Sequence, residues 1–221
     1  MVWWSAGAYR ARAAGAVEEP AEERDVMGDD ASRVTSRDPQ SPHVCPAQNS
    51  GWLTLSVRKL FNDPARIFAG LVNPGDTVVD LGCGPGFFTL PLAEMVGASG
   101  QVIAVDVQQG MLDRLRARAE AAGAAARVQL CLSGPAGPGP VGPADLAVAF
   151  WMLHEVPDRV GFLRQVHDLL KPAGRLLLVE PRGHVGKAQF EASLADAAEE
   201  GLRLESRPRV GFSRAALLRR T

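Results

Sequence analysis

A glycine-rich turn between a β-branched run and an apolar helical pattern constrains this chain more than any other feature. The run Thr77–Leu81 is followed by Gly82, Gly84 and Gly86 at alternate positions, after which the apolar spacing becomes helical. Glycine adopts positive φ at little cost and lets the backbone approach a bound molecule closely, and the next helix offers unpaired N–H groups in its first turn. The stretch predicts a ligand-binding turn between a strand and a helix.

The spacing of these glycines distinguishes two classes of nucleotide site. A dinucleotide fingerprint reads G-x-G-x-x-G, whereas this turn reads G-C-G-P-G and is preceded by Asp80. The string from Asp80 to Gly86 resembles motif I, D-x-G-x-G-x-G, of the class I S-adenosylmethionine-dependent methyltransferases. Residues 153–158, L-H-E-V-P-D, resemble the corresponding segment of the UbiE-like and arsenite-methyltransferase-like small-molecule group. The resemblance extends from Val44 to the C-terminus.

Strand and helix patterns alternate along the rest of the chain at βαβ spacing, which predicts a twisted, mostly parallel sheet. After the first strand, further strands are expected at 101–106, 128–132, 144–150, 175–180, 202–207 and 212–218. The last two match the closing strands of the family. We therefore expect an α/β fold, a Rossmann-like three-layer sandwich with a mostly parallel seven-stranded sheet whose last strand is antiparallel.

The front of the chain differs in composition from the rest. Residues 1–42 lack the apolar periodicity that would offset the entropy of ordering, so we expect a disordered N-terminal extension. A start of translation at Met27 is an alternative. Residues 43–72 are expected to form a helical lid segment and residues 73–221 the methyltransferase domain. The resemblance makes these residues candidates for the lid, with ordinary packing or exposure as the alternative: His43, Cys45, Asn49, Trp52 and Arg58.

Composition excludes several classes of partner. A formal net charge of -1 and the lack of a basic stripe with interleaved aromatics argue against nucleic acid. No run approaches the roughly 20 apolar residues of a membrane span. The chain has three cysteines and no C-x-x-C pair, so we expect neither a disulfide framework nor a metal site. For the same reason we expect a reducing, cytoplasmic location.

The resemblance implies S-adenosylmethionine as the cofactor. Asp106 ends the second strand 20 residues after Gly86, where acids of nucleotide-binding α/β folds accept hydrogen bonds from ribose hydroxyls. Its alternative role is to cap the next helix. Met111 suits a face of adenine, and Ser133 stands where the family commonly has an acid. The expected cofactor-binding residues are Asp80, Gly82, Cys83, Gly84, Gly86, Phe87, Asp106, Val107, Met111, Ser133, Gly134 and Phe150. The loop 134–143 is interpreted as a connector.

Methyl transfer from a sulfonium is an in-line displacement, so positioning alone can supply about 7–11 kcal/mol. A general base adds about 10²–10⁴-fold for some nucleophiles. His154 is the candidate base, with Glu155 to orient it and His184 as second choice. The alternative is that His154 only bonds the backbone of its turn. Phe87, Phe150 and Trp151 are candidates for a π face toward the sulfonium, or for core packing.

The sequence therefore predicts a methyltransferase that acts on a small-molecule acceptor. A planar-nitrogen motif, N/D-P-P-Y/F, does not follow the fourth strand, which disfavours amino-directed nucleic-acid methylation. Two alternatives stay open, a non-catalytic module that binds the cofactor and regulates a partner, and an NAD(P)-dependent oxidoreductase. The acceptor and the oligomeric state are not determined by the sequence.

Overall fold

The strand that carries the glycine turn lies in the middle of the sheet. The computed structural model describes residues 63–134, 137–139 and 141–221. Its strands are β1 (Thr77–Leu81), β2 (Gln101–Asp106), β3 (Val128–Leu132), β4 (Ala144–Phe150), β5 (Leu170–Pro181), β6 (Leu202–Ser206) and β7 (Ser213–Arg220). They form one seven-stranded sheet in the order β3-β2-β1-β4-β5-β7-β6. Since β1 pairs with β2 and β4, the ends of these three strands meet at one edge.

Strands β1 to β5 pair in parallel, and β7 runs antiparallel to both β5 and β6. The expected fold, a mostly parallel sheet with an antiparallel last strand, is confirmed. Strand β5 begins earlier than the expected residue 175, because Leu170 already pairs with Ala144 before a register shift between Ala144 and Leu146. The antiparallel pairing sets Ser213 opposite Pro181, so the start of β7 lies at the edge where β5 ends.

The helices are α1 (Pro64–Ile67), α2 (Thr89–Met95), α3 (Gln109–Ala121), α4 (Arg159–Leu169) and α5 (Lys187–Glu199), with 3₁₀ turns at Ala125–Arg127 and Leu153–Glu155. Asp63 caps α1 by accepting from the N–H of Ala65, and Asp158 caps α4 by accepting from that of Gly161. Both are expected from the preference for Asp at N-caps.

The helices cover both faces of the sheet because side chains alternate along a strand. Val79 and Leu81 pack in a cluster with Phe162 and Leu163 of α4 and with Phe190 of α5. The opposite face carries Val78, which clusters with Phe68, Phe88 and Leu92. On that face Ala104 of β2 also packs with Leu112 and Leu115 of α3. This arrangement is the expected three-layer sandwich.

Some expectations fall on residues that the structure does not describe. They are the disordered extension at 1–42 and the lid residues His43, Cys45, Asn49, Trp52 and Arg58. Within the described ranges, none of the helices has the length and apolar character needed to cross a bilayer.

Candidate active site

The glycine turn is held in place by backbone bonds to β2. The N–H groups of Gly82 and Cys83 both donate to the carbonyl of Val105, at 2.8 and 3.0 Å. Gly82, Gly84 and Gly86 have φ values of +69°, +52° and +84°, a region that side chains disfavour. The turn therefore requires glycine at each of the three positions.

The three glycines differ in what surrounds them. A Cβ on Gly86 would lie 2.3 Å from Cδ1 of Leu115, whereas one on Gly84 would meet nothing within 4 Å. A Cβ on Gly82 would lie 3.1 Å from Cβ of Met152. Gly86 thus lets the turn pack closely against α3, while Gly82 faces the end of β4. A backbone contact from Gly84 or Gly86 to a cofactor stays a prediction.

A cavity of about 390 Å³ opens at the edge where β1, β2 and β4 end. This is where open α/β sheets bind ligands, and the volume is in the usual range for small molecules. Seven expected cofactor residues line it: Gly82, Asp106, Val107, Met111, Ser133, Gly134 and Phe150. The structure thus gathers at one cavity residues from four separate segments of the chain.

Asp106 is the best-placed polar group in this cavity. It is only 8% exposed, its Oδ2 accepts from the N–H of Gly84 at 2.8 Å, and its Oδ1 accepts from that of Gln108 at 2.9 Å. A carboxylate offers about four lone-pair sites, so each oxygen can still accept another hydrogen bond. Gln108 is the N-cap of α3, so Asp106 fixes the strand-to-helix turn but does not cap the helix.

Asp80 lies outside the cavity lining, behind the glycine turn. It is buried, and its Oδ2 accepts a hydrogen bond of 2.6 Å from Oγ1 of Thr89, which joins the end of β1 to the start of α2. Burial raises the pKa of Asp80 to about 7, the bond from Thr89 opposes the rise, and the charge of Asp106 adds to it. Asp80 is therefore a carboxyl that titrates near neutral pH.

The side chains of Cys83 and Phe87 do not reach the cavity. Cys83 packs with Ala104 and the leucines of α3, and burial, more than the nearby acids, raises the pKa of its thiol. Phe87 belongs to the core and stacks edge to face on Phe88, with ring centroids 4.7 Å apart. Packing against α2 and α3 turns both side chains inward, and cofactor binding by these two residues stays a prediction. Of the aromatic candidates, Phe150 and Trp151 line the cavity.

The loop after β3 forms part of the cavity wall, although its composition suggested a mere connector. Gly137 and Pro138 line the cavity. The hydroxyl of Ser133 donates to the carbonyls of Gly134 and Gly137, so it closes the loop. Gln165 of α4 accepts from the N–H of Gly139 at 3.2 Å and holds the loop from outside. The run of glycines, which permits close backbone approach, is the signal that could have identified this wall.

Trp151 has an unusual backbone conformation at the end of β4. Its φ is +59°, a left-handed value that costs a non-glycine residue about 1–2 kcal/mol. Its N–H donates to the carbonyl of Val179 at 2.8 Å, and its indole Nε1 donates to Oγ of Ser213 at 3.0 Å. Strained backbone that the surroundings enforce is common at functional sites, and here it places an aromatic ring in the cavity wall.

The cavity is acidic. Its lining includes Asp106 and Glu155, and none of the described residues that line it is basic. Burial raises the pKa of Glu155, while the charges of His154 and His184 lower it. Two carboxylates in a lining whose described residues include no Lys, Arg or His favour a positively charged ligand.

His154 lies beside this cavity rather than in its lining. It lines a second cavity, of about 340 Å³, that shares Val156 and Pro157 with the first. Glu180, which is buried, binds its ring: Nδ1 lies 2.6 Å from Oε2, and the backbone N–H of His154 donates to Oε1 at 3.1 Å. The ring thus bonds a carboxylate, not only the backbone. Burial raises the pKa of Glu180, and His154 partly opposes this.

The expected partners of His154 are farther away than Glu180. Oε1 of Glu155 lies 4.0 Å from Nε2 of His154, so Glu180 occupies the orienting position expected of Glu155. His184 is exposed, with its ring centroid 5.8 Å from that of His154. Sequence reasoning missed Glu180. Its position at the end of a strand adjacent to β4 is the signal that could have found it.

Residues 78–174 match a family model described as "Methyltransferase domain". Among curated proteins, the chain is 32% identical over 117 residues to aklanonic acid methyltransferase DauC of Streptomyces sp. (strain C5), covering 52% of this chain and 53% of that protein. It is 34% identical over 110 residues to the ubiquinone/menaquinone biosynthesis C-methyltransferase UbiE of Enterobacter sp. (strain 638), covering 49% and 44%. The chain spans about half the length of the curated relatives it matches.

Solved structures show the same fold. A SAM dependent methyltransferase from Aquifex aeolicus superposes with a TM-score of 0.67 at 22% identity, over 76% of this chain and 98% of that one. The [4+2]-cyclase SpnF superposes with a TM-score of 0.55 at 20% identity, over 72% and 60%. Residues 78–174 therefore match a methyltransferase domain, and the fold of the chain is that of the solved S-adenosylmethionine-dependent methyltransferases.

Proposed function

We propose that this chain is an S-adenosylmethionine-dependent methyltransferase that moves a methyl group from the sulfonium to a small-molecule acceptor by in-line displacement. The observation that carries the proposal is the acidic cavity beside the glycine turn, with Asp106 in its wall. DauC and UbiE, which are similar over about half their length, are named for the methylation of small molecules.

The cavity residues fit this cofactor. Asp106 has acceptor capacity for a ribose diol, and Val107, Met111 and Phe150 supply apolar surface for adenine. When bound, the cofactor supplies a methyl group activated by a positively charged sulfur. The two cavity carboxylates complement that charge. The oxidoreductase alternative is disfavoured by the G-x-G-x-G spacing of the turn, which differs from the G-x-G-x-x-G of dinucleotide sites.

Asp80 has a proposed role in the same site. A carboxyl with a pKa of about 7 is only half ionised at neutral pH, and a ligand ammonium would favour its charged form. Because Asp80 lies behind the turn, it would act through its field and through the turn it supports.

The chain's own contribution to the reaction is positioning and proton removal. Holding the acceptor in line can lower the barrier by about 7–11 kcal/mol. We propose that His154 accepts the acceptor's proton at Nε2, since Glu180 occupies Nδ1 and fixes the tautomer. Glu180 would then stabilise the imidazolium. His184, which is exposed and whose ring centroid lies 5.8 Å from that of His154, remains a second candidate. Glu155 contributes charge to the cavity wall.

The proposed acceptor is a small organic molecule rather than a nucleic acid. The relatives' names specify aklanonic acid, ubiquinone/menaquinone biosynthesis and demethylmenaquinone, which makes phenolic and quinol compounds the first acceptors to screen. We propose a cytoplasmic location because the two cysteines in the described part of the chain, Cys83 and Cys131, are free thiols.

Calorimetry with S-adenosylmethionine and S-adenosylhomocysteine tests the cofactor assignment. We expect micromolar binding by the wild-type chain and by Glu94→Ala, which changes an exposed acid of α2. Asp106→Ala should weaken binding by about 100-fold or more, because ribose hydroxyls and the N–H of Gly84 lose a charged acceptor. Folded wild-type protein that binds neither ligand would contradict the proposal.

A module that binds the cofactor without methyl transfer is the second candidate, since the fold also occurs in a protein that is named as a cyclase, SpnF. The His154–Glu180 pair favours catalysis, because a binding module does not need a buried carboxylate to orient an imidazole. Transfer of radiolabelled methyl groups to a panel of hydroquinones and phenols separates the two. Turnover that His154→Gln abolishes supports the enzyme, while cofactor binding without turnover on any extract-derived acceptor favours the module.

A further inference from the structure

A third cavity, of about 380 Å³, lies at the sheet edge formed by the end of β5 and the start of β7. We call it the basic groove. Its charged lining consists of Arg182, Lys187, Arg207, Arg209, Arg214 and Glu191. Nothing in the mechanism above uses these residues.

The groove concentrates positive charge in a chain that is nearly neutral. The whole chain has 24 Lys and Arg against 25 Asp and Glu, yet five cations and one carboxylate line this single cavity. Like charges at such density repel one another unless an anion compensates them. A local excess of this kind therefore points to an anionic ligand.

One of the five cations is already paired. Arg207 binds Glu191 through two bonds of 3.0 and 2.8 Å, and this pairing is the main reason that the pKa of Glu191 is lowered, with Lys187 and Arg214 contributing. After that pair is set aside, Arg182, Lys187, Arg209 and Arg214 remain without a carboxylate partner within hydrogen-bond reach in the described residues.

Two of the remaining guanidinium groups are held by the backbone. Nε of Arg182 donates to the carbonyl of Ser213 at 3.2 Å, and Nε of Arg214 donates to that of Val185 at 3.1 Å. These bonds use one nitrogen each and leave the terminal nitrogens for a ligand. A guanidinium anchored in this way is suited to bidentate binding of carboxylate or phosphate at a smaller entropic cost.

The groove shares a wall with the acidic cavity beside the glycine turn, which we call the cofactor cavity because the proposed function places the cofactor there. Ser213 lines the groove, and its Oγ accepts the bond from the indole of Trp151, which lines the cofactor cavity. A molecule that occupies the groove is therefore separated from the cofactor cavity by one side-chain contact.

We propose that the basic groove binds a carboxylate or phosphate group carried by the methyl acceptor, so that the acceptor is an anion. This inference rests on the proposed function, because only a methyltransferase would use the ligand of the groove as a methyl acceptor. The groove is a cavity of about 380 Å³ beside an acidic cavity, which suits one anionic group better than the extended charge of a nucleic acid or a membrane.

Calorimetry with a matched pair of probes, 1-hydroxy-2-naphthoate and 1-naphthol, tests the proposal on the full chain saturated with S-adenosylhomocysteine. The naphthoate should bind at least about tenfold more tightly, and inorganic phosphate should compete with it. The double variant Arg182→Gln/Arg209→Gln should reduce the preference to less than about threefold without changing S-adenosylhomocysteine affinity. Arg116→Gln removes an exposed cation of α3 and should keep the full preference.

Equal affinity for the two probes, or a preference that survives in the double variant, would overturn the proposal. So would binding to phosphatidylglycerol vesicles without a preference for the naphthoate, which would assign the groove to a membrane surface. The probes are also titrated without cofactor. A wild-type protein that ignores S-adenosylhomocysteine yet prefers the naphthoate would refute the proposed function and retain the anion site.

Discussion

The cofactor cavity and the basic groove lie at the same edge of the sheet, share the Trp151–Ser213 contact and carry opposite charge. On the assignments proposed above, the cavity carboxylates complement a cationic cofactor, and the arginines of the groove complement an anionic group. We expect the opposite charge of the two neighbouring sites to favour a different ligand in each.

The two sites also differ in how the chain builds them. The core of the cofactor site comes from one βαβ unit, in which Asp80, the glycine turn and Asp106 follow within about one strand and one helix. The His154–Glu180 pair joins the turn after β4 to the end of β5. The basic groove is lined by residues from α5, from β7 and from the segments just before them. We therefore expect mutations to separate cofactor binding from acceptor chemistry.

The largest expected effect is on turnover. His154→Gln should lower kcat about 10²–10⁴-fold, and Glu180→Gln by about 10²-fold, because the ring loses its base function or its fixed tautomer. S-adenosylhomocysteine affinity should stay unchanged in both. Steady-state kinetics checks the two kcat values, and calorimetry checks the affinity.

His167→Gln is the matched control, since its ring bonds only the exposed Asp168 on α4 among the contacts described. Full loss of activity in Glu155→Gln with wild-type activity in Glu180→Gln would return the orienting role to Glu155.

The next largest effect concerns the turn. Gly86→Ala should lower the free energy of unfolding by about 3–5 kcal/mol, because the new Cβ strikes Leu115 and φ is +84°. Gly110→Ala in α3, where a Cβ meets nothing, should raise stability by up to about 1 kcal/mol. Urea denaturation measures both. Equal stability of the two variants would show that the turn tolerates a side chain.

Asp80, which supports the glycine turn, gives a test based on the pH dependence of stability. Its pKa is about 7 in the folded chain against an ordinary 3.8, so between these values the folded state holds a proton that the unfolded state has lost. Wild-type stability should therefore fall as pH rises through this window, by about 1.4 kcal/mol per unit.

Asp80→Asn does not titrate and can still accept from Thr89. Relative to wild type it should gain about 2–3 kcal/mol between pH 5 and pH 7, as measured by denaturation at several pH values. A stability difference that is constant over this range would mean that Asp80 is ionised throughout.

The smallest effect is expected at the shared wall. Ser213→Ala removes the hydroxyl that accepts from the indole N–H of Trp151 and should cost about 1 kcal/mol of stability. Because this contact lies between the two sites, the affinities for S-adenosylhomocysteine and for the naphthoate probe should both weaken, by less than about fivefold. Ser206→Ala at the exposed end of β6 is the control. A change in only one affinity would show that the wall belongs to that site alone.

The sequence by itself predicted the strands and the order of elements, apart from the early start of β5, and it predicted several residues that line the cavity. Alternating and continuous apolar runs identify strands because their period is set by local backbone geometry, and positive φ in the turn requires glycine whatever surrounds it. Asp106 was predicted because a strand-end acid at this distance from a glycine turn is fixed by the length of one βαβ unit, and the structure places it in the cavity lining. Cys83 and Phe87 were assigned to the cofactor by proximity in sequence, but packing against α2 and α3 decides where their side chains point.

Only the tertiary structure decided the rest. Glu180 contacts His154, Ser213 contacts Trp151, and the groove gathers its arginines because β5 lies between β4 and β7 in the sheet. No local period encodes which strands become neighbours. The sheet order results from the burial of many apolar side chains at once, and the polar pairs at the edge follow from it.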